Sequence, residues 1–247
     1  MPRLSALTLV AAAALLASPL SIAGVTEDMA ALDRVYVPAL VLTNRPDVEP
    51  ARRAIVALRA EWDAFRARYP VAPAGYPAAS WQRASAAVEA AIVAAEQKVA
   101  AGKGPAAHDE LEAVRQAMYA LRREAGVAYY MDDLTAFHTA MERIASAAGG
   151  RNAQTLTDAD VAAVRAALPE AERTWAIVVA NRAQVARHIE SPEGQAAAQK
   201  LIDTEAATMA ALEAAVAADD RAGIATHGNV LKPGYSKLFS QFGAPPR

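Results

Sequence analysis

His108 to Ile144, HDELEAVRQAMYALRREAGVAYYMDDLTAFHTAMERI, is the stretch on which the reading of the fold turns. In its first part Leu111, Val114, Met118 and Leu121 recur at three- and four-residue steps, which places them on one face of a helix. Gly126, with Val127 behind it, is a left-handed stop signal. The same spacing resumes with Leu134, Phe137, Met141 and Ile144, after Asp132 and Asp133, a residue type that caps helix starts. The stretch therefore predicts the last helix of one bundle, a turn, and the first helix of another.

Upstream, a first helix is expected over 26–42, with Met29, Leu32, Val35 or Tyr36, and Leu40 facing inward and Pro38 limiting its regularity. Asp47 is the expected cap of a second helix with Pro50 in its first turn. Ile55, Leu58, Trp62, Phe65 and Tyr69 form its apolar seam, and Pro70 closes it. Ser80 is the expected cap of a third, carrying Trp81, Val88, Ile92 and Val99, before the turn at Gly102 to Pro105. Downstream, a helix over 132–147 ends at Gly149 and Gly150. Trp175, Val178, Val185 and Ile189 mark the next, and Thr157 to Leu168 reads as an extra turn and helix before it. Ser191 and Pro192 start a third helix with Leu201 or Ile202, then Met209, Leu212 and Val216. A fourth begins near Asp219 or Asp220 and carries Ile224, Leu231 and Leu238. Gly228, Pro233 and Gly234 predict that it is bent or frayed.

The two runs of helices match by nearly constant offsets. Tyr36 pairs with Phe137 at 101, Ile55 with Trp175 and Leu58 with Val178 at 120, Ile92 with Met209 and Val99 with Val216 at 117, and His108 with His227 at 119. A duplicated four-helix unit explains them. The expected fold is all-α: two tandem up-down four-helix bundles, residues 24–126 and 127–247, after a signal peptide over 1–23.

That leader rests on Arg3, the apolar run Leu7 to Leu16 and the small-x-small site Ser21, Ile22, Ala23, so a mature chain would begin at Gly24 in an exported, periplasmic protein. Beyond it no uninterrupted apolar run of membrane-spanning length occurs, so no membrane span is expected in the mature chain. Without Arg3 there are 24 basic against 27 acidic residues, a net charge of −3, which argues against nucleic acid as a partner. Hydrophobic residues are 54% of the chain but aromatics only 6%, a balance rich in Ala that favours close-packed helices over sheet. There is no Cys, which removes disulfides, thiolate metal sites, a cysteine nucleophile and thioether-bound haem.

Ala100 to Glu124, Gly228 to Phe239 and the segment Asp132 to His138 together resemble the periplasmic cytochrome c-prime and soluble b-type cytochrome family of four-helix bundles. The resemblance implies the bundle fold and the compartment, and places His138 at the first-helix axial-ligand position of the b-type members. The fourth-helix ligand position of those members corresponds to Tyr119 and Ser236, and the c-type attachment motif is replaced by Pro233 to Lys237.

Of the four histidines, His138 borders the apolar face between Leu134 and Met141 and is the expected ligand if haem b or copper is bound, with Met141 beside it. Up-down topology would bring His188 to the same end as His138, giving a metal site of two imidazoles completed by Met141 or by a carboxylate of Asp132 or Asp133. The alternative places His138 in a hydrogen bond across the helix junction and His188 as a solvated residue at a helix end. His227 is expected on an interior stripe, and His108 against the preceding loop. The charge run Arg122, Arg123, Glu124 reads as a solvated face, and Trp62, Trp81 and Trp175 as core. No nucleophile triad, phosphate loop or zinc-protease pair is present. The reading reached from sequence is a binding or accessory protein without enzymatic activity or an obligatory cofactor, serving a small ligand or another periplasmic protein. Its alternative is an electron-transfer protein holding haem or metal on His138.

Overall fold

The computed structural model describes residues 22–244 of the chain, with side chains from Gly24 onward. The expected leader therefore lies outside the described residues, except for the backbone of Ile22 and Ala23. The chain is all-helical among the described residues: α1 Ile22–Thr43, α2 Glu49–Arg68, α3 Ala78–Ala100, α4 Gly104–Glu124, α5 Tyr130–Ala148, α6 Asp158–Ala180, a 3-10 turn Arg182–Arg187, α7 Pro192–Ala217 and α8 Arg221–Ser240. Helix α1 packs on α2 and α4, and α3 lies against both α2 and α4. In the second half α5 packs on α6 and α8, and α7 on α6 and α8. The halves meet where α1 touches α8 and α4 touches α5.

Helix ends follow local chemistry. After α3, Gly102 takes φ +72° while Lys103 N–H bonds the Lys98 carbonyl at 2.8 Å. After α4, Gly126 takes φ +66° and Val127 N–H bonds the Arg122 carbonyl at 2.9 Å. Both satisfy carbonyls that a helix end leaves orphaned. The turn from α7 to α8 repeats this device with Asp219 at φ 56° and Asp220 N–H on the Ala215 carbonyl at 2.9 Å. Ser191 and Asp220 cap α7 and α8 as expected, whereas the N-cap of α2 is Val48 and not Asp47, which lies one residue earlier and receives the Glu49 N–H at 3.0 Å.

Several expectations are corrected. Ser80 is not a cap: it lies buried inside α3, and its hydroxyl donates to Glu124. Asp132 and Asp133 lie inside α5, which starts at Tyr130 without a side-chain cap. Thr157 to Leu168 is not an extra element, because Thr157 and Asp160 form a capping box that starts α6, and α6 runs through Pro169 to Ala180. Val185 and Ile189 then fall in and just after the 3-10 turn. Helix α8 is continuous, and its glycines serve close approach instead. A Cβ on Gly228 would stand 2.5 Å from the Ala148 Cβ of α5, and one on Gly234 would collide with the Glu205 carboxyl of α7.

Pro38 has a tertiary answer. Proline cannot donate to the carbonyl four residues back, which is that of Arg34. Ala244 N–H takes that carbonyl at 2.8 Å, and Gly243 lies flat against the Pro38 ring, so the end of the chain completes the first helix.

The predicted apolar seams are buried: Leu58, Val88, Ile92, Leu111, Leu134, Phe137, Val178, Leu212 and Leu231 are fully enclosed. The largest departure is Arg122, expected in solvent and found 3% exposed. Its guanidinium grips Asp132 with Nε–Oδ2 at 2.9 Å and Nη2–Oδ1 at 2.5 Å. It also stacks over the Tyr129 ring at 4.1 Å and reaches the Met29 sulfur at 3.8 Å. Tyr129 in turn donates its hydroxyl proton to Asp33 of α1. One cation thereby ties α1, α4, the junction and α5 together.

Leu58 and Val178 are both 0% exposed. Leu58→Ala is expected to cost about 2–5 kcal/mol and Val178→Ala less, read from chemical denaturation. Asp132→Ala leaves Arg122 buried without its counterion, and a loss of roughly 3–5 kcal/mol is expected. A change below about 1 kcal/mol would mean that the pair is open to water.

Candidate functional site

Between the halves, α1, α4, α5 and α8 enclose a cleft of about 420 Å³, within the roughly 300–1,000 Å³ typical of small-molecule sites. Its apolar floor includes Leu40, Val41 and Phe239. Its walls carry a chain of ionisable groups, most of which sit there because helix spacing aligns them. His108, Glu112 and Arg115 occupy successive turns of α4, and His138 and Glu142 successive turns of α5.

Arg115 is the centre. It is 6% exposed, and it donates from Nη1 to the Tyr235 hydroxyl at 3.1 Å, from Nη2 to Glu112, and from Nη2 to His138 Nδ1 at 2.9 Å. Burial works against its charge, and Tyr235, Tyr36 and Glu112 outweigh that, raising its pKa. A guanidinium only donates, so His138 Nδ1 must accept and the imidazole proton sits on Nε2. That nitrogen lies 3.1 Å from Glu142 Oε1, which also holds Lys232 Nζ at 2.7 Å. Burial lowers the His138 pKa, helped by the Arg115 charge and opposed by Glu142. Glu142 is held down to about 2, first by the His138 hydrogen bond and then, against burial, by Lys232.

On the far wall His108 Nδ1 donates to the Leu40 carbonyl at 2.9 Å, and Nε2 accepts from the Asn44 amide at 3.2 Å while facing Glu112 at 3.5 Å. His108 thus contacts the end of α1 and not the loop before α4 that was expected to hold it, because the packing of α1 on α4 brings the Leu40 carbonyl to the ring. Hydrogen bonds and ion pairs run from Glu112 through Arg115 to His138 of α5 and Tyr235 of α8, with His108 and the end of α1 facing them across the cleft.

The residues expected to form a metal site are not brought together. His188 is not at a solvated helix end: it is 5% exposed, edge-on to Tyr129 at 4.8 Å and near Phe242 at 6.0 Å. Its ring neighbours share no residue with those of His138, which touches Arg115, Glu142 and Tyr235. Met141 is fully buried and does not line the cleft. Asp132 is occupied by Arg122, and Asp133 accepts from Asn181 at 2.8 Å. Among the described residues no group of three or more His, Asp or Glu has metal-holding geometry. For haem iron or copper the donor set does not fit, since the lone pair of His138 Nδ1 is taken by Arg115 and its Nε2 proton by Glu142. His227 is half-buried, off the core stripe. Its match to His108 also lapses, because the Gly102 and Asp219 caps and the starts of α4 and α8 all lie 117 residues apart, and that register sets His108 against Ala225.

Sequence reasoning missed Arg115, Glu112, Glu142, Lys232 and Tyr235. A signal was present: Arg115 and Arg122 are seven residues apart, flanking Leu111 and Met118 on the inward face of α4. Glu205 was missed in the same way, standing in the stripe from Ile202 to Met209 of α7. It is 2% exposed, its Oε1 has no hydrogen-bond partner, and burial pushes its carboxyl up to about 8. Comparison of the chain with known protein families, with curated proteins and with solved structures finds no match. Among the described residues no helix is long and apolar enough to cross a membrane.

Glu205 sets a pH prediction. Its folded pKa of about 8 lies above the ordinary 4.5, so the folded state holds a proton that the unfolded chain has released. Stability should therefore fall as pH rises from about 4.5 to about 8 and then level off. His188, lowered by burial and by Arg122 to about 4 from 6.5, acts in the opposite sense but only below pH 6.5. Between pH 6.5 and 8 the wild type should lose stability relative to Glu205→Gln in urea melts. Parallel pH profiles would show that Glu205 is paired.

Proposed function

We propose that this chain is an exported, periplasmic binding protein without enzymatic activity, built of two tandem up-down four-helix units over 24–126 and 127–247, and that it holds a small ligand in the cleft between them. The observation that carries this reading is the cleft itself. It is concave, apolar at its floor, and walled by charged groups positioned by one another and by packed helices. The duplication is supported by the common spacing of 117 that links Ile92 with Met209, Gly102 with Asp219, and the starts of α4 and α8. A non-catalytic role is supported by the state of the polar groups. The imidazole of His138 is tied into ion pairs, and the one hydroxyl of an aliphatic side chain in the cleft, Ser236, gives its proton to the Lys232 carbonyl of its own helix at 2.8 Å. Nothing there pairs a nucleophile with a free base.

The electron-transfer alternative would need His138 to surrender Arg115 or Glu142 to a metal. Both readings meet in one experiment: thermal melting and titration calorimetry of the whole chain with a panel of small polar metabolites, haem and copper ions, beside Tyr235→Phe and His138→Ala. A small organic molecule should raise the melting temperature of the wild type and do so less in Tyr235→Phe. Stoichiometric haem or copper binding that vanishes in His138→Ala would instead establish the cytochrome-like role and overturn the binding-protein reading.

A further inference from the structure

The unmet hydrogen-bonding capacity buried in this cleft points to the chemistry of its occupant. Arg115 lines the cleft, and of the two N–H groups on its Nη1 one goes to Tyr235 and the other has no acceptor among the described residues. Beside it the Tyr235 hydroxyl accepts from Arg115 at 3.1 Å, and its own proton meets no acceptor among the described residues. A guanidinium N–H and a phenol O–H side by side are complementary to a carboxylate, the more so because the guanidinium carries charge. Leaving such donors unmet is costly, which favours an acceptor that fills the place.

A simple anion is nonetheless a poor match for the whole cleft. The acidic side chains Asp109, Glu112 and Glu142 stand against Arg115 and Lys232, so among the carboxylates and the Arg and Lys side chains of the lining the negative ones are in small excess. Asp109 is exposed at the mouth and has no ion-pair partner among the described residues. Asp109, Glu112 and Arg115 recur every three residues, placing two carboxylates and then a guanidinium along one face of α4. Successive groups are separated by about 4.5 Å along the axis. A ligand that carries both charges close together, with an ammonium and a carboxylate on one carbon, matches this order.

We propose that the cleft binds a zwitterion of the α-amino-acid class with an apolar side chain. The carboxylate lies on Arg115 and Tyr235, the ammonium faces Asp109 and Glu112, and the side chain rests on Leu40, Val41 and Phe239. The proposal rests on the binding reading above and deepens it by naming the ligand class.

The test is titration calorimetry and thermal melting of the whole chain with leucine, with 4-methylpentanoate, which lacks the ammonium, and with 3-methylbutylamine, which lacks the carboxylate. Leucine should bind and raise the melting temperature, with each analogue at least about tenfold weaker, the loss of one charged hydrogen bond. Tyr235→Phe keeps the ring and removes the donor, so it should weaken leucine about tenfold. Asp109→Asn alters an exposed residue, should fold as the wild type does, and should narrow the gap between leucine and 4-methylpentanoate. Equal binding of 4-methylpentanoate and leucine overturns the zwitterion, as does leucine binding that neither variant changes. A response to another class of small molecule, lost in Tyr235→Phe and without any response to leucine, overturns this proposal and leaves the binding reading standing. Silence toward every ligand overturns both.

Discussion

The buried pair of Arg122 and Asp132 is the constraint on which the arrangement of the two halves depends. Burying a cation and a carboxylate in a helical core is expensive, and only near-ideal geometry offsets it. Here two parallel hydrogen bonds, the Tyr129 ring and the Met29 sulfur surround the guanidinium. The Tyr129 hydroxyl extends the network to Asp33, whose carboxyl burial pushes up to about 6, with Arg122 opposing. A hydrophobic contact is non-directional and would let α5 slide or rotate on α4. A bidentate ion pair admits one register. Since Arg122 closes α4 and Asp132 opens α5, that register determines how the second set of helices leaves the first.

Two turns earlier on the same face, Arg115 repeats the device with a different result. It too is buried and reaches across to the second half, but its partners leave part of its donor capacity unused, and it faces a cleft rather than closed core. The spacing of seven residues sets both arginines on the inner side of α4. Arg122 meets a carboxylate within its own junction and is saturated. Arg115 meets a neutral imidazole, a phenol and a glutamate from separate turns, and remains open to a further acceptor. That difference in saturation separates a site that holds the halves together from the cleft proposed to take a ligand.

Much of the fold was legible in the sequence because helical periodicity is a local property. The seams of Leu58, Trp62 and Phe65, and of Leu134, Phe137 and Met141, are buried where their spacing put them, and the left-handed stop at Gly126 occurs as expected. The errors share one cause. Ser80, Asp132 and Arg122 were assigned the commonest role of their residue type, a cap or a solvated charge, and tertiary partners placed each inside the structure instead. Gly228 and Gly234 were expected to bend or fray α8 and Pro38 to limit the regularity of α1, but tertiary neighbours supply what each leaves open: close packing on Ala148 and Glu205, and the Ala244 N–H for the Arg34 carbonyl.

The candidate site was far less legible. His138 was singled out from its position beside an apolar face, and it does line the cleft, but besides Glu142 of its own helix its neighbours are Arg115 of α4 and Tyr235 of α8, more than twenty and nearly a hundred residues away. By itself the sequence determined that this chain is helical, where most of its helices begin and end, and which faces turn inward, because these depend on residues three or four apart. The tertiary structure alone decided which charged groups are buried, which nitrogen of His138 carries the proton, and that His138 and His188 keep separate company. Those outcomes depend on electrostatic partners brought together across helices, and no local spacing encodes them.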